Sequence, residues 1–353
     1  MSENLNSMNN KGKQPAAVDV AVLILFFTRP EPLKQVFEAI RQARPSKLYL
    51  YQDGPRGPQD MAGIEACRQV VSDEQIDWEC DVQRNYQTQN AGCDPSNFNA
   101  QKWAFSLSDK CIIFEDDSIP SVSFIRFCKE LLDRYEHDER IVMIEGFNPD
   151  EVSPDVPDDY LFTTVFSIWG WASWKRVIDR WDEHYTFLDD KYNMHQLEML
   201  TKERRYRTTM LRMAPQHKAL GKAYYESIFW ASMMFNHGLA IVPTKNMINN
   251  LGVSAGGSTH YAGSLETLPK RLRKMFTMQR HEVTFPLKHP RYIIENVDYL
   301  HRFYRINGYG HPWVKIKYSL EELWLNLRYG HFGYIGQAVK NRINKLLGNK
   351  KYK

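Results

Sequence analysis

The sequence has few cysteines and no long hydrophobic run. Its five cysteines fall singly among 353 residues, without a CxxC pair or a Cys/His cluster, which argues against a zinc site. An odd number of cysteines fits a reducing compartment better than a disulfide framework. The longest apolar run, residues 20–27, is far shorter than the roughly 20 residues that span a bilayer. Residues 1–18 lack the apolar core of a signal peptide, so a cytoplasmic protein is predicted.

The composition also lacks a strong charge of one sign. The formal net charge is only +4, which argues against a dedicated nucleic-acid-binding protein. With 43% hydrophobic and 25% charged residues, the chain falls outside the collagen-like, low-complexity and disordered classes. The length allows two domains, or one large α/β domain with additions.

The first half of the chain alternates between strand and helix patterns. Residues 18–27 are β-branched and almost continuously apolar, which is typical of a parallel strand buried on both faces, and helical spacing begins at Pro32. Further strands are predicted at residues 47–52, 78–82, 110–114 and 141–144, with helical segments between the strands. This alternation predicts an α/β, Rossmann-like fold in which a mainly parallel sheet is flanked by helices. In the second half, residues 224–237 predict a helix that ends with Gly238 as its C′ residue.

Polar residues follow the predicted strands. In open parallel sheets, ligands bind beyond the carboxyl ends of the strands, so the residues found there are candidates for a binding site. They are Thr28, Arg29, Asp53, Gly54, Arg84, Asn85, Glu115, Asp116 and Asp117.

The acidic triplet Glu115, Asp116 and Asp117 is the most informative of these groups. Three adjacent carboxylates repel one another unless a cation intervenes, and a hard divalent ion takes oxygen ligands while leaving positions open for phosphates. The alternative is a solvated acidic turn or a helix N-terminal cluster before Pro120. The position after a buried α/β strand favours the metal site.

The same triplet carries a family resemblance. The segment Phe114–Asp117 resembles the DxD-type motif of GT-A nucleotide-sugar glycosyltransferases, and the strands that end at Thr28 and Asp53 are similar to the nucleotide half of that fold. The likeness is closest to bacterial relatives of the N-acetylglucosaminyltransferase I group and runs from about Val20 to His260. Other segments that match in order are Asn90–Cys93, Glu145–Asn148, Trp169–Trp174, Gly238–Pro243 and Asn249–Gly252.

The resemblance implies a role for each candidate residue. Asp117 would be the principal ligand of a Mn²⁺ or Mg²⁺ ion, with His260 as a second ligand, while Glu115 and Asp116 would contact the donor or the metal's water shell. The other predicted donor-binding residues are Thr28, Arg29, Asp53 and Arg84. The implied base is Glu226, where relatives usually carry aspartate, and it would take the acceptor's proton in an inverting transfer.

Two further groups have a structural and a functional interpretation. Trp169 and Trp171 predict a sugar-stacking wall for the acceptor, or else buried core aromatics. From Leu323 onward the chain has no acidic residue and shows amphipathic helical spacing with basic and aromatic residues. This pattern predicts docking on an anionic membrane surface, or else a terminal helix packed on the domain.

The predicted organisation has three segments. They are a disordered segment at residues 1–18, a GT-A domain at 19–265 (nucleotide half 19–150, acceptor half 151–265) and a basic helical extension at 266–353.

The predicted function is metal-dependent transfer of a sugar from a nucleoside diphosphate donor, most simply a UDP-sugar, to a glycan or lipid-linked glycan acceptor. The predicted pathway is bacterial surface polysaccharide synthesis. The alternatives are a sugar nucleotidyltransferase and a non-catalytic glycan- or membrane-binding protein that retains the fold.

Overall fold

The structure is a computed structural model that describes residues 12–200, 203–253, 265–336 and 340. Within the segment predicted to be disordered, Gln14 forms an isolated parallel bridge with Trp78, and the Ala17 N–H donates to the Arg44 carbonyl (2.9 Å).

The described residues form ten strands and eleven α-helices. The strands are β1 Val18–Phe26, β2 Pro45–Gln52, β3 Asp81–Tyr86, β4 Lys110–Glu115, β5 Ser118–Pro120, β6 Ile141–Glu145, β7 Tyr160–Thr163, β8 Trp171–Trp174, β9 Leu239–Pro243 and β10 Ile248–Asn250. The helices are α1 Pro30–Ala43, α2 Met61–Val70, α3 Cys93–Leu107, α4 Ser123–Arg134, α5 Lys175–Ile178, α6 Lys191–Leu200, α7 Arg204–Ala219, α8 Tyr225–Phe235, α9 Lys270–Met275, α10 Val297–Ile306 and α11 Pro312–Arg328.

The central sheet has eight strands in the order β3-β2-β1-β4-β8-β6-β9-β7. Strands β3, β2, β1 and β4 are mutually parallel, and β6 and β9 run in the same direction. Strands β8 and β7 are antiparallel to their neighbours. A separate two-stranded sheet pairs β5 with β10. The predicted α/β, Rossmann-like class with a mainly parallel sheet is therefore confirmed.

Burial of apolar side chains explains the first elements. Strand β1 is buried from Val20 to Phe26, since helices cover both faces of the sheet at its centre. Helix α1 begins at Pro30, whose fixed φ suits a first helical position, and presents its apolar stripe to the sheet. The stripe includes Leu33, Val36, Phe37 and Ile40.

The third strand lies slightly later in the chain than predicted. The structure places β3 at Asp81–Tyr86 instead of residues 78–82. Trp78 belongs to the core before the strand, and its indole N–H donates to the Pro45 carbonyl (2.8 Å). β3 lies at the edge of the sheet and is largely polar, so it gives little hydrophobic signal.

The end of α8 also differs from the prediction. His237, not Gly238, takes the left-handed conformation (φ 51°). Gly238 is required for space instead, because a Cβ there would lie 2.8 Å from the side chain of Val142.

Among the described residues, no helix combines the length and the apolar character that crossing a bilayer requires.

Candidate active site

A cleft of about 530 Å³ lies at the carboxyl ends of the central parallel strands. The ends of β1, β2 and β4 contribute to its wall, and so does the start of α3. Its polar lining residues are Thr28, Arg29, Asp53, Arg56, Asn90, Ser96, Asn97, Glu115 and Asp116. The structure thus brings together five of the predicted donor-binding residues.

Arg29 joins the acidic residues that follow β4. β1 and β4 are neighbours in the sheet, with Leu25 opposite Glu115, so the residues beyond the two strand ends meet. The Arg29 guanidinium donates to the Asp117 carboxylate (Nη2–Oδ2, 2.9 Å) and to both oxygens of Asp116. Asp116 and Asp117 are 3% and 7% exposed, so this is a nearly buried ion cluster. In this structure, Arg29 therefore supplies part of the positive charge that the triplet requires.

The cluster nevertheless keeps a surplus of negative charge. Burial raises the pKa of Glu115 well above its usual value, and the charges of Asp117, Asp116 and Glu226 raise it further. Burial also raises the pKa of Asp116 to about 6, although Arg29 opposes that shift. One guanidinium does not neutralise the carboxylates, so the site would gain from an added cation.

A second pair of strands holds Asp117 in place. β10 pairs with β5, and the Asn250 side chain donates to Asp117 (Nδ2–Oδ1, 3.0 Å). The Leu251 N–H donates to the Asp117 carbonyl (2.8 Å), and the Gly252 N–H donates to the Asn250 side chain (2.7 Å). Asn250 is thus a positioning residue that sequence reasoning missed. The segment Asn249–Gly252, which is part of the family resemblance, was the signal that could have found it.

Gly252 gives a direct test of this positioning. A Cβ at this residue would lie 2.8 Å from Asp117 Oδ2 and 2.9 Å from Asn250 Oδ1. We expect Gly252→Ala to push the Asp117 carboxylate aside and to weaken nucleotide binding in the presence of Mn²⁺ by roughly tenfold. Calorimetric titration measures this affinity. The matched control is Gly333→Ala, where nothing lies within 4 Å of the added Cβ, and equal affinities for the two variants would contradict the positioning role.

The donor set fits a hard divalent cation by its chemistry. Glu115, Asp116 and Asp117 offer carboxylate oxygens, which Mg²⁺ and Mn²⁺ prefer. The described residues contain no group of three or more His, Cys, Asp or Glu side chains already arranged to hold a metal. An ion would therefore have to compete with Arg29 for the oxygens of Asp117.

Glu226 lies in the first turn of α8. The side chain is half-buried. Burial raises its pKa to about 7, and Asp94 at the start of α3 adds to the shift. Because the charge of Glu226 also raises the pKa values of Glu115 and Cys93, the starts of α3 and α8 and the end of β4 converge on one site. Asp94 was not predicted from the sequence, since it follows no strand and belongs to no recognised motif.

Asp53 has a structural role in the wall of the cleft. Its carboxylate accepts hydrogen bonds from the backbone N–H groups of Gly54, Ala91 and Gly92 and from the Asn90 side chain, at 2.9–3.1 Å. These four donors fill the four usual acceptor positions of a carboxylate. Asp53 therefore fixes the 90–92 loop against β2, and a sugar-nucleotide donor that bound to its carboxylate would have to displace one of these four groups.

Two predicted site residues lie elsewhere. Arg84 is not among the described residues that line the cleft, because its side chain turns to Asp73 (Nη2–Oδ1, 2.6 Å) beside the edge strand. Trp171 is only 1% exposed, since β8 lies between β4 and β6 within the sheet. Its ring stacks on Tyr225, with centroids 6.3 Å apart. The prediction that Trp171 contacts the acceptor is therefore wrong, because the side chain belongs to the core. The predicted contact of Arg84 with the donor stays a prediction.

Trp169 and His260 are the two remaining predicted site residues. Trp169 is half-buried, and its ring contacts Phe147 and Phe276 with centroids 4.6 and 5.0 Å away. His260 lies outside the described residues, so its predicted role as a metal ligand stays a prediction.

Comparison with known proteins gives partial structural likenesses. No protein-family model matches the chain, and no curated protein matches its sequence. A UDP-glucose pyrophosphorylase in complex with UDP-glucose is similar at 7% identity and a TM-score of 0.33, over 66% of this chain and 93% of that one. The glycosyltransferase GlyE of Streptococcus pneumoniae TIGR4 is 11% identical with a TM-score of 0.30, over 62% of this chain and 43% of its own. Mouse xyloside xylosyltransferase 1 in its apo form is 11% identical with a TM-score of 0.31, over 62% and 81%.

Proposed function

We propose that the protein is a metal-dependent GT-A glycosyltransferase that moves a sugar from a nucleoside diphosphate donor to a hydroxyl of a glycan or lipid-linked glycan. The observation that carries the proposal is the arrangement of charges in one site. A cation, Arg29, and a surplus of carboxylates lie at the strand ends. The charge of Glu226, whose own pKa is raised, acts on Glu115 of this cluster. UDP is the proposed nucleotide, and relatedness to the N-acetylglucosaminyltransferase I group is part of the same proposal.

The strand-end residues would bind the leaving group. The Arg29 guanidinium suits a diphosphate, because its planar donors match phosphate oxygens. Asp117 would hold a Mn²⁺ or Mg²⁺ ion, together with Glu115 and Asp116. When bound, such an ion stabilises the negative charge that develops on a departing nucleoside diphosphate.

Glu226 would act as the general base. The acceptor oxygen forms a bond to the anomeric carbon, the bond from that carbon to the diphosphate oxygen breaks, and the hydroxyl proton passes to the Glu226 carboxylate. A base is most effective when its pKa lies near the working pH, which agrees with the value of about 7. Attack on the side opposite the leaving group would invert the anomeric configuration.

A panel of nucleotide sugars tests the proposal. The full chain is incubated with each donor and Mn²⁺, and the products are separated by ion-exchange chromatography. Release of a nucleoside diphosphate is expected from at least one donor. Pyrophosphate-dependent cleavage would instead indicate a nucleotidyltransferase, and no reaction with any donor, with and without glycan acceptors, would contradict an enzymatic role.

A further inference from the structure

Helix α11 presents an uncovered apolar face. Trp313, Leu320 and Trp324 are 79%, 62% and 55% exposed. Their spacing places them on one side of the helix, so they form a continuous ridge. The exposed face of α11 consists of Trp313, Ile316, Leu320, Leu323, Trp324 and Leu327. Exposed apolar patches of this kind mark interaction sites.

The opposite side of α11 is packed on the protein, so the orientation of the helix is fixed. Leu325 and Asn326 are buried, and the Tyr318 hydroxyl donates to the Ile306 carbonyl of α10 (3.1 Å). The Glu321 carboxylate accepts from the Lys270 backbone N–H of α9 (2.8 Å). Because the opposite side of α11 contacts α9 and α10, the apolar face points away from the domain.

A basic groove of about 690 Å³ lies directly beside this face, between α9 and α11. Its charged lining residues are Lys270, Arg271, Arg273, Lys274, Lys317 and Glu321. A second hollow, along the apolar face itself, shares Lys317 and Glu321 with this basic groove, so the two surfaces are continuous.

Some of the cations that line the basic groove have partners, and others do not. Arg271 donates to the Pro149 carbonyl (2.8 Å), and Lys274 forms an ion pair with Glu151. Within the described ranges, no acidic side chain pairs with the charged ends of Lys270, Arg273 or Lys317. The groove therefore offers unpaired positive charge next to an exposed apolar ridge that carries two tryptophans.

We propose that the exposed face of α11 and the basic groove together dock on an anionic lipid bilayer. The apolar ridge would enter the boundary between headgroups and acyl chains, where tryptophan is favoured, while the groove receives lipid phosphates. Charge disfavours a second copy of the chain as the occupant when the two copies of α11 pack antiparallel, because that two-fold contact would bring two basic grooves to the same side. Docking through these surfaces does not depend on the catalytic function proposed above.

Co-sedimentation with vesicles tests the docking. The full chain is mixed with phosphatidylcholine vesicles that contain or lack phosphatidylglycerol. We expect binding to the anionic vesicles that weakens as salt increases. Arg273→Gln with Lys317→Gln should lower the partition coefficient roughly thirtyfold. Trp313→Ser with Leu320→Ser should lower it at least about tenfold.

Matched controls come from other exposed helices. Tyr192→Ser on α6 removes a side chain from a residue that is 72% exposed, and Lys34→Gln removes an exposed charge on α1, so both should bind as the unaltered chain does. Circular dichroism confirms that each variant is folded. The proposal is overturned if the unaltered chain ignores anionic vesicles, if it binds neutral vesicles equally well, or if neither double variant weakens binding. It also fails if the double variants dissociate a dimer in sedimentation velocity while vesicle binding persists.

Discussion

Replacing Glu226 with glutamine should lower the rate of sugar transfer by about a thousandfold, because the amide cannot accept the proton of the acceptor hydroxyl. Binding of the nucleotide should change by no more than about twofold, since the proposed diphosphate contacts come from residues after β1 and β4. Turnover is measured as nucleoside diphosphate release, and affinity is measured by calorimetry.

Two further variants separate chemistry from folding. Glu226→Asp keeps a carboxylate and should retain measurable turnover, whereas Glu198→Gln alters an exposed glutamate on α6 and should have no effect. Equal turnover of the Gln variant and the unaltered chain would remove Glu226 from the mechanism.

The raised pKa of Glu226 also sets the direction of the pH dependence. The value of kcat/KM should rise about tenfold per pH unit below pH 7 and level off above it, because only the carboxylate form accepts a proton.

The same shift, from an ordinary value of 4.5, predicts a pH-dependent stability. The folded state favours the protonated form of Glu226. The contribution of this side chain to stability is therefore complete below about pH 4.5 and is lost as the pH rises through 7. We therefore expect Glu226→Gln to raise the free energy of unfolding at pH 8 by up to about 3 kcal/mol. Chemical denaturation of the variant and of the unaltered chain at pH 8 and at pH 4.5 tests the sign of this change in the free energy of unfolding. A variant that is more stable at pH 4.5 but not at pH 8 would contradict the prediction.

The second large effect is expected at Asp117. Asp117→Asn should weaken Mn²⁺-assisted nucleotide binding by about a hundredfold or more, because a neutral amide is a much poorer ligand than a carboxylate. The Asn250 hydrogen bond can persist, since the asparagine oxygen still accepts, so the site should remain folded. Calorimetric titration with and without Mn²⁺ separates the metal-assisted part of the affinity.

The matched control for this variant is Asp179→Asn. Asp179 is exposed and pairs with Lys175 on the surface. The Asp179→Asn variant should bind nucleotide as the unaltered chain does. If Asp117→Asn kept the full Mn²⁺-assisted affinity, Asp117 would not be a metal ligand.

The half of the fold with strong hydrophobic patterns was predictable from the sequence. β1 is a continuous apolar run because it is buried in the centre of the sheet, and α1 carries its apolar stripe at helical spacing. The acidic triplet was identified for the same reason, as polar residues that follow a buried strand. β3 was misplaced because an edge strand with polar side chains has almost no such pattern.

The side-chain partners in the site could not be predicted in the same way. The Arg29–Asp116 pair spans 87 positions and the Asn250–Asp117 bond spans 133, so both depend on the order of strands in the sheet. The chain's aromatic pattern did not show that β8 is enclosed by β4 and β6, which is why Trp171 was assigned to an acceptor surface. Local spacing gives the element, but the direction of a side chain depends on the neighbouring elements.

The decisive measurement is a crystal structure of the chain with UDP and Mn²⁺. We expect anomalous density for manganese against the Asp117 carboxylate, and a diphosphate between the metal and Arg29 in the cleft at the ends of β1 and β4. A nucleotide bound elsewhere, with manganese away from the acidic triplet and the ion pair between Arg29 and Asp117 intact, would contradict it.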